Sequence, residues 1–176
     1  MAPASPFFEI RARAHPVRRP SLHPADLQQL LDKQAISEVL FNYAAGCDRR
    51  DWNLFRGCFC DEVEIDLSSW SGSPASVLRL EDWVEGVRTG LSGFDATQHL
   101  SGNHRIEIDR AKAHATSNIQ ASHMLGDQRV TLGGWYDTHL VRQNDAWRIA
   151  RSQLNITWRE GNEELFAQAR ARRSTP

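Results

Sequence analysis

From Thr97 to Trp158 the chain keeps a period of two, and this run constrains the fold more than any other feature. Ile106 and Ile108 alternate with Arg105, Glu107 and Asp109. After a turn at Arg110-Ala111-Lys112, Ala115, Ile119, Ala121, His123 and Leu125 share one face, and Asn118, Gln120 and Ser122 share the other. Val130, Leu132, Tyr136 and Leu140 share a face in the next segment. Asn144-Asp145 reads as a hairpin turn and Trp147 to Trp158 as the last long strand. Strands of this kind, joined by short turns, make an antiparallel sheet with one face on a core and one face in water.

The first half of the chain is helical. A helix starts near Ala25, after Pro24, with Leu27, Leu30, Leu31, Ile36, Val39 and Leu40 as its expected buried stripe. Gly46 and the charged run Asp48-Arg49-Arg50-Asp51 are expected to end it. A short helix follows with Trp52, Phe55 and Phe59 on one side, then a strand with Val63, Ile65 and Leu67, then a Ser/Gly/Pro loop from Ser68 to Ala75. Leu80 to Leu91 predicts a helix carrying Trp83, Val84, Val87 and Leu91, and Glu163 to Arg172 a closing helix. Helices first and strands after give an α+β class. The expected architecture is a cone-shaped, curved antiparallel sheet, a half-barrel of about four to six strands wrapped around about three helices, enclosing an apolar pocket.

The 176 residues suit one domain. Residues 1–24 hold five of the seven prolines and four arginines against one acid, Glu9, and are expected to form a flexible arm. Residues 25–172 form the domain and 173–176 a tail. The net charge of −1 calls for neither nucleic acid nor an anionic membrane. Three cysteines, Cys47, Cys58 and Cys60, lie in no disulfide-scaffold spacing, and Cys58-Phe59-Cys60 lacks the second ligand pair of a zinc site. The expected compartment is therefore reducing and cytoplasmic. No apolar run approaches the roughly 18 to 20 residues of a membrane span.

Four polar residues fall on inward faces: Tyr43, Asp48, His123 and Tyr136. Ile36, Leu40, Tyr43 and Cys47 recur at helical spacing, and Asp48 follows at the end of that face. At 100° per residue Tyr43 and Asp48 lie about 140° apart, so they converge only if the helix ends or distorts near Gly46. His99 sits in the short segment TQHLSGN, while His104 has the parity of Ile106 and Ile108, so periodicity ranks the two histidines together. Each polar residue alone has a packing account, with Asp48 capping the next helix or pairing with Arg49 or Arg50. Jointly they read as a site with a histidine partner for Asp48. Trp135 and His139 point outward and suit a subunit interface; Arg170, Arg172 and Arg173 read as a solvated tail.

The stretch DKQAISEVLFNYAAGCDRRDWNLFRGCFCDEVEID, then TQH, then GGWYDTHLVRQNDAWRI, resembles the SnoaL-like branch of the nuclear transport factor-like α+β barrels, over about residues 26 to 168. It is most similar to the group of scytalone dehydratase, bile-acid dehydratase and hexachlorocyclohexane dehydrochlorinase. The resemblance implies a catalytic pair of Asp48 and His99, which singles out His99 over His104. It places His123 at the second pocket histidine of scytalone dehydratase and Tyr43 at a tyrosine of the bile-acid dehydratase. Cys47 and Leu67 stand where scytalone dehydratase has two tyrosines, and Gly134 and Tyr136 where it has a serine and an asparagine, which implies a substrate other than scytalone. The implied activity is a cofactor-independent, dehydratase-like lyase using His–Asp general base catalysis. Its substrate would be small, hydrophobic and cyclic or polyketide/steroid-like, held by Tyr136 and by walls drawn from Trp52, Phe55, Leu67, Trp83, Trp158 and Phe166. No cofactor and no catalytic metal are implied, and a homo-oligomer, trimer or dimer, is expected. The rivals are an isomerase or polyketide cyclase using the same base, a metal site of His99, His123 and Asp48, and a non-catalytic binding module.

Overall fold

The structure, a computed structural model, describes residues 23–173; the expected arm (1–24) falls almost wholly outside the described residues, as does most of the tail. The alternating run forms four long strands, β3 (Ala96–Asp109), β4 (Lys112–Leu125), β5 (Gln128–Gln143) and β6 (Ala146–Gly161), each antiparallel to the next. Asn144 and Asp145 both take left-handed φ, 48° and 60°, as a two-residue hairpin turn of the primed type requires. β1 (Phe59–Asp66) and β2 (Ser76–Arg79) complete one six-stranded sheet of order β2-β1-β6-β5-β4-β3. The sheet is mixed, because β1 lies parallel to β6. The chain enters β1 from helices and not from a hairpin, so no tight turn imposes an antiparallel partner. β2 is too short to show a period in sequence.

The helices are α1 (Pro24–Arg49), α2 (Trp52–Arg56), α3 (Ser68–Ser71), α4 (Leu80–Leu91) and α5 (Leu165–Arg173). One expectation about α1 is corrected. Leu27, Leu30 and Leu31 are exposed, because the buried side follows the series Asp32, Ile36, Leu40 and Ala44, and the three leucines lie about 100° or more around the helix from Asp32. Asp32 itself is buried, ion-paired with Arg142 and receiving a 3.3 Å hydrogen bond from Trp147 Nε1. The Arg142 guanidinium also lies 4.8 Å from the centre of the Trp147 ring. This cluster ties the start of α1 to β5 and β6.

The end of α1 falls within the expected charged run, three residues past Gly46. The helix runs on to Arg49 and ends with Arg50 in a left-handed cap, φ 58°. The glycine is there for space: a Cβ on it would lie 2.8 Å from the Phe55 backbone nitrogen and 2.9 Å from Phe55 Cβ. That close approach seats α2 on α1 and buries Phe55 completely. A second apolar cluster, Phe94, Val130, Leu132, Leu165 and Ala169, docks α5 against the sheet. No helix among the described residues is long and apolar enough to cross a membrane.

The packing at Gly46 yields a test. Gly46→Ala adds helix propensity of about 1 kcal/mol, but overpacking against backbone costs about 1–3 kcal/mol. The variant is expected to be less stable than wild type in urea denaturation; an increase in stability would show that the contact relaxes freely.

Candidate active site

α1, α4 and α5 cover one face of the sheet and leave a cavity of about 190 Å³. Tyr43 and Cys47 reach it from α1, Trp83 and Val87 from α4, His99 from β3, His123 from β4, Leu132 and Tyr136 from β5, and Phe166 from α5. His99 and His123 meet edge to face with ring centres 5.5 Å apart.

Asp48 lies beside His99 without lining the cavity. Its Oδ1 is 2.6 Å from His99 Nδ1, and its Oδ2 accepts the His99 backbone N–H at 2.7 Å. Oδ1 also accepts the Thr97 hydroxyl at 3.0 Å. The Thr97 oxygen in turn accepts Arg50 Nη1 at 2.8 Å, and Arg50 Nη2 donates to the Leu91 carbonyl at 2.9 Å. A guanidinium cannot accept, so Thr97 must spend its proton on Asp48. Burial acts to raise the Asp48 pKa, but the hydrogen bonds from the His99 ring, the His99 backbone and Thr97 outweigh it and hold the carboxyl below the usual range. An ionised Asp48 fixes the proton of His99 on Nδ1, and Nε2 is left as the nitrogen on the cavity side. Asp48 and His99 also border an open groove with Phe41 and Gln98, so the carboxylate keeps contact with solvent.

The inward period of β3 shifts between His99 and Ile106 through a bulge. Two residues lie between Gly102 and Arg105 where β4 has one between Asn118 and Thr116, and Asn103 takes φ 53°. Thr97 and His99 therefore face inward with the odd positions, and Ile106 with the even ones. His104 also turns toward α1, but it bonds Ser37 and Ser101, both at 3.1 Å, and does not reach the cavity.

Tyr43 and Tyr136 hydroxyls are 3.1 Å apart. Burial pushes the Tyr136 phenol up to about 12 and the Tyr43 phenol well above its ordinary value, so both stay protonated. One of their two protons serves the bond between them and the other is available to a ligand. Trp83 Nε1 and His123 Nδ1 are buried without a partner among the described residues. Both side chains belong to the cavity wall, where an orphaned buried polar group costs about 1–3 kcal/mol until a ligand satisfies it.

Of the expected wall residues, Leu67, Trp83, Tyr136 and Phe166 line the cavity. Trp52, Phe55 and Trp158 do not. Trp52 packs against the core that holds Ile36, Leu40 and Phe55, Phe55 is buried within that core against Tyr43 and Trp83, and Trp158 is 44% exposed over Gly133, where its indole occupies the space of a Cβ. The register shift of β5 against β6 at Gly133/Gly134 puts Trp158 beside Trp135, in an outer groove. Sequence reasoning missed Thr97 and Arg50, although Thr97 shares the parity of His99. It missed Trp70, whose ring packs 4.4 Å from Phe166 at the cavity, because it sits in an apparent loop. Arg170, read as tail, borders the cavity, and Arg172 binds Asp95 at 2.6 Å.

Burial of His123, with the neighbouring His99 adding to it, lowers the His123 pKa to about 3. The folded protein thus keeps this imidazole neutral while the unfolded chain takes up a proton below about 6.5. Stability from this group is intact above about 6.5 and falls, by up to about 1.4 kcal/mol per pH unit, until the folded pKa is reached. Asp48 contributes in the opposite charge sense and a lower window: its stabilisation is present above about 3.9 and is lost as pH falls through its depressed folded pKa. Denaturation midpoints measured from pH about 7 to 4 should fall more steeply for wild type than for His123→Gln; parallel curves would refute the neutral buried imidazole.

A family model of the SnoaL-like domain matches residues 28–153. The Mycobacterium tuberculosis protein Rv2910c, an uncharacterized protein, is 28% identical over 127 residues, covering 70% of this chain and 84% of its own length. The crystal structure of Kfla4162 from Kribbella flavida superposes with a TM-score of 0.74 at 28% identity, over 80% of this chain and 99% of that one. A scytalone dehydratase-like protein from Novosphingobium aromaticivorans gives 0.66 at 20% identity, over 77% and 90%. Hexachlorocyclohexane dehydrochlorinase LinA type 2 gives 0.66 at 18% identity, over 78% and 93%. The last two establish likeness of fold. The expected half-barrel, the inward strand faces and the match over most of the domain agree, and the chain belongs to the SnoaL-like domain family.

Proposed function

We propose that the protein is a cofactor-independent lyase of the dehydratase type, with His99 as general base and Asp48 as the group that orients it. The observation that carries this reading is the carboxylate of Asp48, held by three donors, bound to Nδ1 of a histidine whose ring borders an apolar cavity. Nε2 takes a proton from carbon beside an electron-withdrawing group, and Asp48 stabilises the imidazolium that forms. The departing hydroxyl is protonated by that imidazolium or by the free proton of the Tyr43–Tyr136 pair. His123, neutral and buried, positions the substrate by hydrogen bonding. The two named structural neighbours support elimination as the reaction class, since one carries the name of a dehydratase and the other of a dehydrochlorinase.

Size narrows the substrate. An apolar cavity of roughly 150 Å³ accepts benzene, so about 190 Å³ suits one substituted ring or a compact fused pair better than a steroid. Exclusion of water by Trp70, Trp83 and Phe166 strengthens the few polar contacts inside.

The base can be tested before the natural substrate is known, with 5-nitrobenzisoxazole, a small fused ring that opens by base-promoted elimination. Wild type should open it faster than His99→Ala by about 10²-fold or more. Asp48→Asn should lose nearly as much with the fold intact, and the double variant should be little worse than His99→Ala, because the two residues act as one unit. Equal rates for wild type and His99→Ala would refute His99 as the base. With a natural substrate in hand, Tyr43→Phe and His123→Ala should lose on the order of 10²- to 10³-fold in kcat. Mass spectrometry should then show a product lighter by one water; an isomer of unchanged mass would replace the lyase reading with an isomerase.

A further inference from the structure

The sheet carries a second cluster of titratable groups on the face away from the cavity. His114 on β4 and His139 on β5 are direct cross-strand partners. Their neighbours Ala113, Ala115 and Leu140 are buried, so both imidazoles project outward. Asp137 lies two residues before His139 and on the same face. His114 Nε2 is 3.1 Å from Asp137 Oδ2, and His139 Nε2 is 3.4 Å from Asp137 Oδ1. Each residue offers one ligand atom, and the three atoms lie within 4.8 Å of one another.

The surroundings extend this into a row. Arg151 on β6 pairs across from His139, contacts Asp137 Oδ1 at 3.3 Å, and has its charge offset by Glu64 on β1 at 3.2 Å. Glu107 on β3 pairs across from His114 on the other side. Two imidazoles thus sit between carboxylates on strands whose register fixes their spacing.

We propose that His114, His139 and Asp137 form a divalent transition-metal site, with zinc as the fitting ion. Two ligands at about 2.0–2.1 Å from a tetrahedral zinc lie roughly 3.3 Å apart; His114 Nε2 is 3.1 Å from Asp137 Oδ2 and His139 Nε2 is 3.4 Å from Asp137 Oδ1, so each imidazole stands at that spacing from one oxygen of the carboxylate. Imidazole nitrogen and carboxylate oxygen are ligands of the right hardness for zinc. Imidazole binds a metal through an unprotonated ring nitrogen, so protons compete with the ion and binding weakens in acid. Glu64 keeps Arg151 from presenting a bare charge to the ion, and Arg151 orients Asp137 as an outer partner. The remaining coordination positions face solvent. This site is separate from the elimination chemistry: its role is to clamp β4 to β5.

The test is calorimetric titration of the full chain with zinc chloride at pH about 7.5, paired with thermal melts. The expected result is one zinc per chain and a rise in Tm that EDTA reverses. His114→Asn and His139→Asn should each weaken binding by about tenfold or more, and Asp137→Asn likewise. His99→Ala should bind zinc as wild type does. Absence of binding at about 100 μM zinc overturns the proposal. So does binding that survives in the His114→Asn/His139→Asn double variant, or that is lost in His99→Ala, which would put the ion in the cavity.

Discussion

The carboxylate of Asp48 is the constraint on which the rest of the site depends. It is partly withdrawn from water and must be compensated. Three donors do this, two of them from the same residue, His99, through its ring and its backbone. The Thr97 hydroxyl is the third, and its direction is dictated from outside, since Arg50 can only donate. Arg50 also grips the Leu91 carbonyl and so ties the end of α4 to the end of α1 and to β3. The network therefore does two things at once. It locks three elements together at the rim of the cavity, and it leaves His99 with one defined tautomer.

Around that pair, the titratable groups that α1, β4 and β5 place on the cavity wall stay neutral. Burial raises the phenols of Tyr43 and Tyr136 and the thiol of Cys47, and it lowers His123. The contrast is physical: Asp48 borders a groove open to solvent, whereas these groups are buried around a largely apolar cavity. A site built this way places one ionised carboxylate behind one basic nitrogen and sets two neutral phenols and a neutral imidazole on the cavity wall beside them. That arrangement favours charge that develops at the histidine during proton transfer and disfavours it elsewhere.

The two faces of the sheet divide the polar residues between different tasks. The inner face holds His99, His123 and Tyr136; the outer face holds the row from Glu64 to Glu107. Alternation along β4 and β5 produces both sets from adjacent positions in the chain, as His139 beside Leu140 shows. Gly133 and Gly134 mark where this regularity is interrupted, and the change of register there carries Trp158 to the outside.

Much of this was legible locally. The period of two placed β3 to β6, the turn at Asn144-Asp145 and the inward parity of His123 and Tyr136, because alternation is imposed by the pleat residue by residue. The amphipathic run Leu80–Leu91 became α4 with the bounds its pattern predicts. What the sequence could not determine depends on partners far along the chain. Asp48 meets His99 from 51 residues away, and Asp32 is buried only because Trp147, 115 residues on, and Arg142 arrive to compensate it. That burial turned Leu27, Leu30 and Leu31 outward against their hydrophobicity. The parallel pairing of β1 with β6 and the bulge at Gly102–Arg105 were likewise settled by sheet assembly. Sequence by itself determined which residues could face inward; tertiary structure decided which of them meet, because a hydrogen bond or ion pair between distant residues leaves no period to read.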